Sequence, residues 1–221
     1  MKDTRIFNKG TTRLFENKIL ENLTRTHFLV PVLFYYAAAI CILAYSFSVS
    51  TIDHWKALFY FPAGMITFSF VEYLIHRYIF HFNAVNEKEE QFKYHIHGVH
   101  HEYPRDKDRL VMPPLISFGI AILFYFVFKF IAGDYVWLFF PGFLAGYSTY
   151  LIIHYSVHRY KPPKNFLKYL WKHHSLHHYH SDDYAFSVSL PLWDYIFGTM
   201  PVYKNANEKT ASEKLPDSST R

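Results

Sequence analysis

The stretch VWLFFPGFLAGYSTYLIIHYSVH, Val136 to His158, carries the reading of the fold. Residues 136–153 hold no charged side chain. A helix rising about 1.5 Å per residue would carry such a run across most of the ~30 Å hydrocarbon core of a bilayer. Two imidazoles then follow at once, His154 and His158, at i and i+4 on one helical face. An apolar run ending in paired metal-type ligands is the unit from which the rest of the chain is built.

Three more apolar runs stand upstream: Phe28 to Phe47, Ala57 to Ile75, and Leu115 to Ala132, the last broken only by Lys129 near its end. Pro113-Pro114 sets the start of that third run, because the residue before a proline disfavours helix. Gly142 and Gly146 form one small-x3-small pattern, a weak sign of close helix packing. Lys and Arg give the orientation. Six lie in the N-terminal segment (Lys2, Arg5, Lys9, Arg13, Lys18, Arg25), six in 77–112 and nine after 158, whereas the short connections 49–56 and 133–135 hold only Lys56. By the positive-inside rule both termini and the long middle loop are cytoplasmic. The expected fold is therefore all-α: an integral membrane four-helix transmembrane bundle with a cytoplasmic helical cap. The expected divisions are a cytoplasmic N-terminal segment 1–26, a main domain 27–203 and a polar, disordered tail 204–221.

That topology, derived without histidines, puts thirteen of the fifteen histidines on one face in four clusters. They read His76-x4-His81, His95-x-His97-x2-His100-His101, His154-x3-His158 and His173-His174-x2-His177-His178-x-His180. Imidazole suits iron, copper and zinc. One mononuclear site uses about three or four protein ligands, so this supply points to two metals. His97, His100 and His101 fall at i, i+3 and i+4, one helical face, and His174, His177 and His178 repeat the spacing. His76 and His81, at i and i+5, do not share a face of a regular helix, so the helix is expected to end or loosen between them. His95, His173 and His180 are read as groups orienting ligands or as plain neighbours, and His27 and His54 as interfacial. Glu72, one turn before His76, is the only acidic residue in the spans, placed to hydrogen-bond a ligand or a lysine. The lone cysteine, Cys41, excludes an intrachain disulfide, a thiolate-rich zinc finger and a cysteine-held cluster. The net charge of +5 comes from bases flanking apolar runs, not from a nucleic-acid-binding face.

In that order and spacing the clusters resemble the fatty acid hydroxylase superfamily of membrane di-metal enzymes. The run His97-Gly98-Val99-His100-His101-Glu102-Tyr103-Pro104-Arg105-Asp106, with Arg109-Leu110-Val111-Met112-Pro113-Pro114 after it, is similar to the sphingolipid fatty acid 2-hydroxylases. Pro191-Leu192-Trp193-Asp194-Tyr195-Ile196-Phe197-Gly198-Thr199 resembles their end-of-domain signature. The resemblance covers about residues 55–200. It implies His76, His81, His97, His100, His101, His154, His158, His174, His177 and His178 as ligands of two iron ions. Imidazole sites accept zinc as readily, so a purified sample can hold zinc. It further implies O2-dependent hydroxylation of an unactivated C–H bond, at the carbon next to the carbonyl of a fatty acid or of a ceramide's acyl chain. The expected location is the endoplasmic reticulum in a eukaryote or the inner membrane in a bacterium.

Two departures stand out. Eukaryotic members carry an N-terminal cytochrome b5 domain, for which residues 1–26 are too few, so a separate cytochrome b5-like or ferredoxin-like donor is expected. The chain also reads Ala185-Phe186-Ser187 where relatives tend to have Gly-Phe-Gly. Arg77, Arg105, Lys107, Arg109 and Arg159 are candidates to receive a carboxylate, a phosphate-bearing head group or an acidic donor; contact with anionic lipid is the plainer reading. The alternatives are a carotenoid or sterol hydroxylase of the same superfamily and, remotely, a membrane metal transporter. A transporter should hold its ligands near mid-bilayer, and the Arg-Leu-Val-Met-Pro-Pro run favours the acyl hydroxylase.

Overall fold

A computed structural model describes residues 5–49 and 52–201; the tail expected over 204–221 lies outside the described residues. All regular structure among the described residues is helical. In chain order the helices are α1 (Lys18–Leu23), α2 (Leu29–Val49), α3 (Ala57–Ile75), α4 (Glu87–Lys93), α5 (Val99–Glu102), α6 (Pro114–Ala132), α7 (Val136–Arg159), α8 (Lys168–Tyr179) and α9 (Leu192–Ile196). Helix α3 occupies the apolar run expected of it, and α6 starts on Pro114, whose missing N–H costs nothing at a first helical position. Helix α7 runs six residues past the apolar stretch that ends at Ile153, carrying both of its histidines.

Three stretches are long and apolar enough to cross a membrane: Leu29–Ser48, His54–Phe80 and Pro114–Arg159. The third holds 46 residues, which would extend ~69 Å as one straight helix. Instead it doubles back. Gly133 ends α6 at φ +56, a conformation costly to any residue with a Cβ. A 3₁₀ turn, Gly133–Tyr135, then launches α7. The returning helix brings Phe139 to 4.9 Å from Phe128 and Phe143 to 5.2 Å from Phe124, ring centre to ring centre. Hydropathy sees one run; the glycine makes two helices of it. The outward faces are apolar, with Phe130 92% exposed, which suits lipid contact and not water.

Helix α7 is the middle of the bundle, with α2 and α3 lying along it. The α3–α7 contact is backbone on backbone. A Cβ on Gly142 would overlap the carbonyl of Phe61, one on Gly64 the carbonyl of Phe139, and one on Gly146 the side chain of Phe68. Several polar groups inside are paired, which lowers the cost of placing them in a bilayer interior. Tyr35 donates to Ser117 at 2.8 Å, Tyr36 pairs with Thr149 at 2.8 Å, and Ser148 donates to the Val32 carbonyl at 3.3 Å. At one end of the bundle the two short connections meet, Lys56 donating to the Tyr135 hydroxyl at 3.4 Å, with Tyr60 at the start of α3 stacking on Tyr135 at 4.7 Å.

The opposite end carries the histidines. Helix α3 continues into a π turn, His76–Phe80, and a second π turn, Tyr94–Gly98, leads into α5. The N-terminal segment, set apart in sequence, lies on this cap. The Phe7 amide donates to the Glu102 carbonyl at 2.7 Å and the Thr26 amide to that of Asp108 at 2.8 Å. Glu21 accepts from the Leu14 and Phe15 amides and pairs with Arg25 and with Arg109. Burial works against the Glu21 carboxylate, yet these partners together hold its pKa at about 2.

Substitution Gly142→Val should lower the stability of the detergent-solubilised protein by about 1–3 kcal/mol or more, since the added atoms meet backbone that cannot yield. Gly119→Ala, where a Cβ meets nothing within 4 Å, should leave the thermal midpoint unchanged. Equal midpoints for the two variants would contradict the close α3–α7 contact.

Candidate metal centre

All ten histidines implied as ligands come together, and they sort into two groups of five. His76, His81, His97, His101 and His177 form the first; His100, His154, His158, His174 and His178 form the second. Within each group the candidate ligand nitrogens lie within 4.8 Å of one another. Eight of the ten are buried, and His81 and His101 are half-buried. Each His-x2-His-His motif is split between the groups. The i and i+4 members (His97 and His101; His174 and His178) face one centre, and the i+3 member (His100; His177) faces the other. A spacing that places a triplet on one helical face thus does not assign it to one centre. Positions three and four apart differ by about 100° around a helix, enough to divide them between two points.

The His-x4-His spacing is explained by the π turn. Its hydrogen bonds close five residues apart instead of four, so i and i+5 line up as i and i+4 do on an α-helix. His76 opens the turn and His81 caps it, and their rings lie 5.0 Å apart.

The nitrogens facing the centres are bare. The Phe186, Leu110 and Tyr184 carbonyls can only accept, so the Nδ1 atoms of His76, His154 (3.0 Å) and His177 (2.7 Å) must carry the proton and donate to them. Their Nε2 atoms are then lone pairs aimed at other imidazoles. In the first group Nε2 of His76 and of His101 each lie 3.1 Å from Nε2 of His97, and those of His177 and His81 are also 3.1 Å apart. In the second group the pairs His154–His100, His158–His154 and His158–His174 stand at 3.0, 3.2 and 2.8 Å. Two nitrogens each ~2.1 Å from one cation and at right angles to each other would be ~3.0 Å apart, which is the spacing found. His178 is buried with neither ring nitrogen hydrogen-bonded. Burial first, and repulsion between neighbouring imidazoles second, hold His97, His100, His101, His174, His177 and His178 well below the ordinary imidazole pKa. The rings are neutral at pH 7, the form a metal takes. The residues therefore fit two divalent cations.

Other expected residues go elsewhere. His173 is buried against Asp194, 2.9 Å away. His95 pairs with the Gln91 carbonyl and packs on Phe15, and His180 is exposed beside Tyr184. Glu72 reaches neither a ligand nor a lysine; it accepts from the Val188 and Ser189 amides. Arg109 is committed to Glu21, and Arg77 donates to Tyr73 and covers the Phe186 ring. Arg105 and Arg159 stay exposed. Arg105 lines a small polar opening of about 40 Å³ onto His158, His174 and His178. Asp194 was quoted in sequence only as part of a signature; its buried position beside a ligand-bearing helix has no signal in composition or periodicity.

The fatty acid hydroxylase family model matches residues 61–199, and the chain belongs to that family. It is 36% identical over 202 residues to the ceramide very long chain fatty acid hydroxylase SCS7 of Saccharomyces cerevisiae, covering 88% of this chain and 51% of the relative. It is 31% identical over 206 residues to the dihydroceramide fatty acyl 2-hydroxylase FAH2 of Arabidopsis thaliana, covering 90% and 84%. The fatty acid 2-hydroxylase of Homo sapiens is 32% identical over 209 residues, covering 85% and 56%. The chain thus spans about half the length of the yeast and human relatives. A solved structure described as full length scs7p, with only the hydroxylase domain visible, superposes with a TM-score of 0.78 at 33% identity, covering 88% of this chain and 74% of that one.

The depressed imidazole pKa values set the acid limb of stability. An unfolded chain takes up these protons below about pH 6.5 while the metal-free fold resists them. Stability is therefore full above that pH and falls as pH drops, by up to about 1.4 kcal/mol per pH unit for each such group. Thermal unfolding of metal-free protein between pH 8 and 5.5 should show a falling midpoint; a midpoint that rises on acidification would contradict the neutral-imidazole assignment.

Proposed function

We propose that this member of the fatty acid hydroxylase family is a membrane di-iron monooxygenase. Its substrate is the acyl chain of a fatty acid or ceramide, hydroxylated at C2 with O2 and electrons from a separate donor. The observation that carries the reading is the pair of adjacent groups, each of five imidazoles, at one end of a set of apolar helices. The names of the relatives, hydroxylases of ceramide, dihydroceramide or fatty acid, favour an acyl substrate over a carotenoid or sterol. The histidines also gather at the helix ends, unlike the mid-bilayer ligands of a transporter.

His76, His81, His97, His101 and His177 would hold one ion, and His100, His154, His158, His174 and His178 the other. Two iron ions there would supply the reduction of O2, one oxygen atom entering a C–H bond and the other leaving as water. The protein's own share is placement. Carbonyl acceptors behind His76, His154 and His177 fix each ring's tautomer and direction. Burial of the rings excludes bulk water from the reacting space. The opening beside Arg105 gives water and protons a polar way to the second group.

We read α2, α3, α6 and α7 as four passes, with the histidine end cytoplasmic, because the described parts of the Lys- and Arg-rich segments, within 5–25, 77–112 and 159–172, lie at that end. The acyl chain then reaches the site sideways from the bilayer, with its polar head at the interface. Arg105, Lys107 and Arg159 are three exposed cations beside the cap for a carboxylate, a phosphate or an acidic donor.

Protein reconstituted with iron, a reductant and 18O2 should yield 2-hydroxy acyl product carrying one 18O atom, read by mass spectrometry. His177→Ala should abolish it. In cells, an unchanged 2-hydroxy acyl pool alongside altered carotenoids or sterols would sink the acyl reading.

A further inference from the structure

Two carboxylates lie buried under the histidine cap, and neither is among the ten implied ligands. Asp194, fully buried, sits at the third position of α9; Glu72, 6% exposed, sits on the last turn of α3. Between them they take four consecutive backbone amides. Phe186 and Ser187 donate to the two oxygens of Asp194 at 2.9 and 2.8 Å. Val188 and Ser189 donate to one oxygen of Glu72 at 2.6 and 3.3 Å, and the Ser189 hydroxyl donates to the other. The amide before them, Ala185, donates to the Thr199 carbonyl at 2.9 Å. Ala185 stands at φ +58, the left-handed region. A left-handed residue turns successive N–H groups into a concavity that suits an anion, which is how amides 186 and 187 reach one carboxylate. Burying two carboxylates is costly unless each is hydrogen-bonded, and here both are.

The segment so held is the one that orients the first histidine group. Its Phe186 carbonyl accepts from His76 and its Tyr184 carbonyl from His177. Asp182, just before it, stands 3.4 Å from Nδ1 of His81. Three of the five rings in the first group thus lean on residues 182–186. In the second group the one carbonyl partner among the described residues, Leu110 behind His154, comes from another part of the chain.

We propose that Glu72 and Asp194 are positioning residues for the first metal centre alone, acting through the backbone of residues 184–189. The inference rests on the two-metal reading above. Asn at position 194 keeps the shape but places an amide donor where two N–H groups now converge, which loosens the segment. His173, at 2.9 Å from Asp194, and the Thr199 hydroxyl, at 2.7 Å, add two further contacts that fix the carboxylate itself.

The test is metal content, with zinc as the probe, on full-length protein in detergent after loading and gel filtration. The parent chain should hold two ions. Asp194→Asn should hold about one while keeping its helical circular dichroism. His154→Ala, which removes a ligand of the second group, should also hold about one, and the double variant none. Two ions retained in Asp194→Asn, released to a chelator at parental rates, would overturn the clamp; so would the loss of both from a helical protein. Should Asp194→Asn not fold, Ser189→Ala, which deletes only the hydroxyl on Glu72, should release one ion severalfold faster and the other at the parental rate. Parental release of both ions from that variant would overturn it. A parent chain with fewer than two ions would sink the two-metal reading itself, an outcome separable from failure of the clamp.

Discussion

Neutral imidazoles with their lone pairs turned toward one another form an arrangement that a folded chain does not adopt without cause. Each buried ring nitrogen without a partner gives up hydration, and paired lone pairs about 3 Å apart repel. A cation within each group would relieve both penalties, and the features of the cap gather the ten rings into those two groups. The spans fix the approximate end, the two π turns and α8 fix the angles, and backbone carbonyls fix which nitrogen is bare. The apolar bundle below is the platform, rigid because glycines let α3 and α7 touch backbone to backbone.

Much of this could be read from residues alone, for a physical reason. Helix-forming apolar runs of about 20 residues and short motifs of fixed ligand spacing are local signals. Helix α3 over 57–75 and the Pro114 start of α6 follow from such signals, as do the ten histidines brought together. What escaped was geometry finer than spacing. A His-x2-His-His triplet names its ligands but not which ion each serves. That division depends on where the helix axis lies between two points, a tertiary quantity. The i, i+5 pair shows the same limit: its spacing forbids a regular helix without saying whether the chain unwinds or, as found, adds a residue to one turn.

Non-local polar partners were the other silent layer. Glu72 looked one turn away from a ligand and turned out to serve amides 116 and 117 residues later in the chain. Arg109 looked free to receive a substrate anion and is held by Glu21 from the N-terminal segment. Long-range pairs of this kind leave no periodicity, because they join one residue to one residue across the fold. The N-terminal segment illustrates it as a whole: polar and unpatterned in sequence, it nonetheless lies on the cap through single hydrogen bonds to Glu102 and Asp108.

The two metal groups are alike in composition and unlike in support. The second draws on helices α5, α7 and α8, whose backbone hydrogen bonds are internal and whose rings are directed by helix geometry. The first takes His81 from a helix cap and leans His76 and His177 on an irregular segment. Irregular backbone beside a bilayer must find partners inside the protein, and the amides of residues 186–189 find them in two buried carboxylates. Ala185 holds a left-handed conformation here without glycine's freedom. The site of greatest backbone cost therefore lies behind only one of the two centres. Two ligand sets equal in composition would then differ in how firmly they hold an ion, through the backbone behind them.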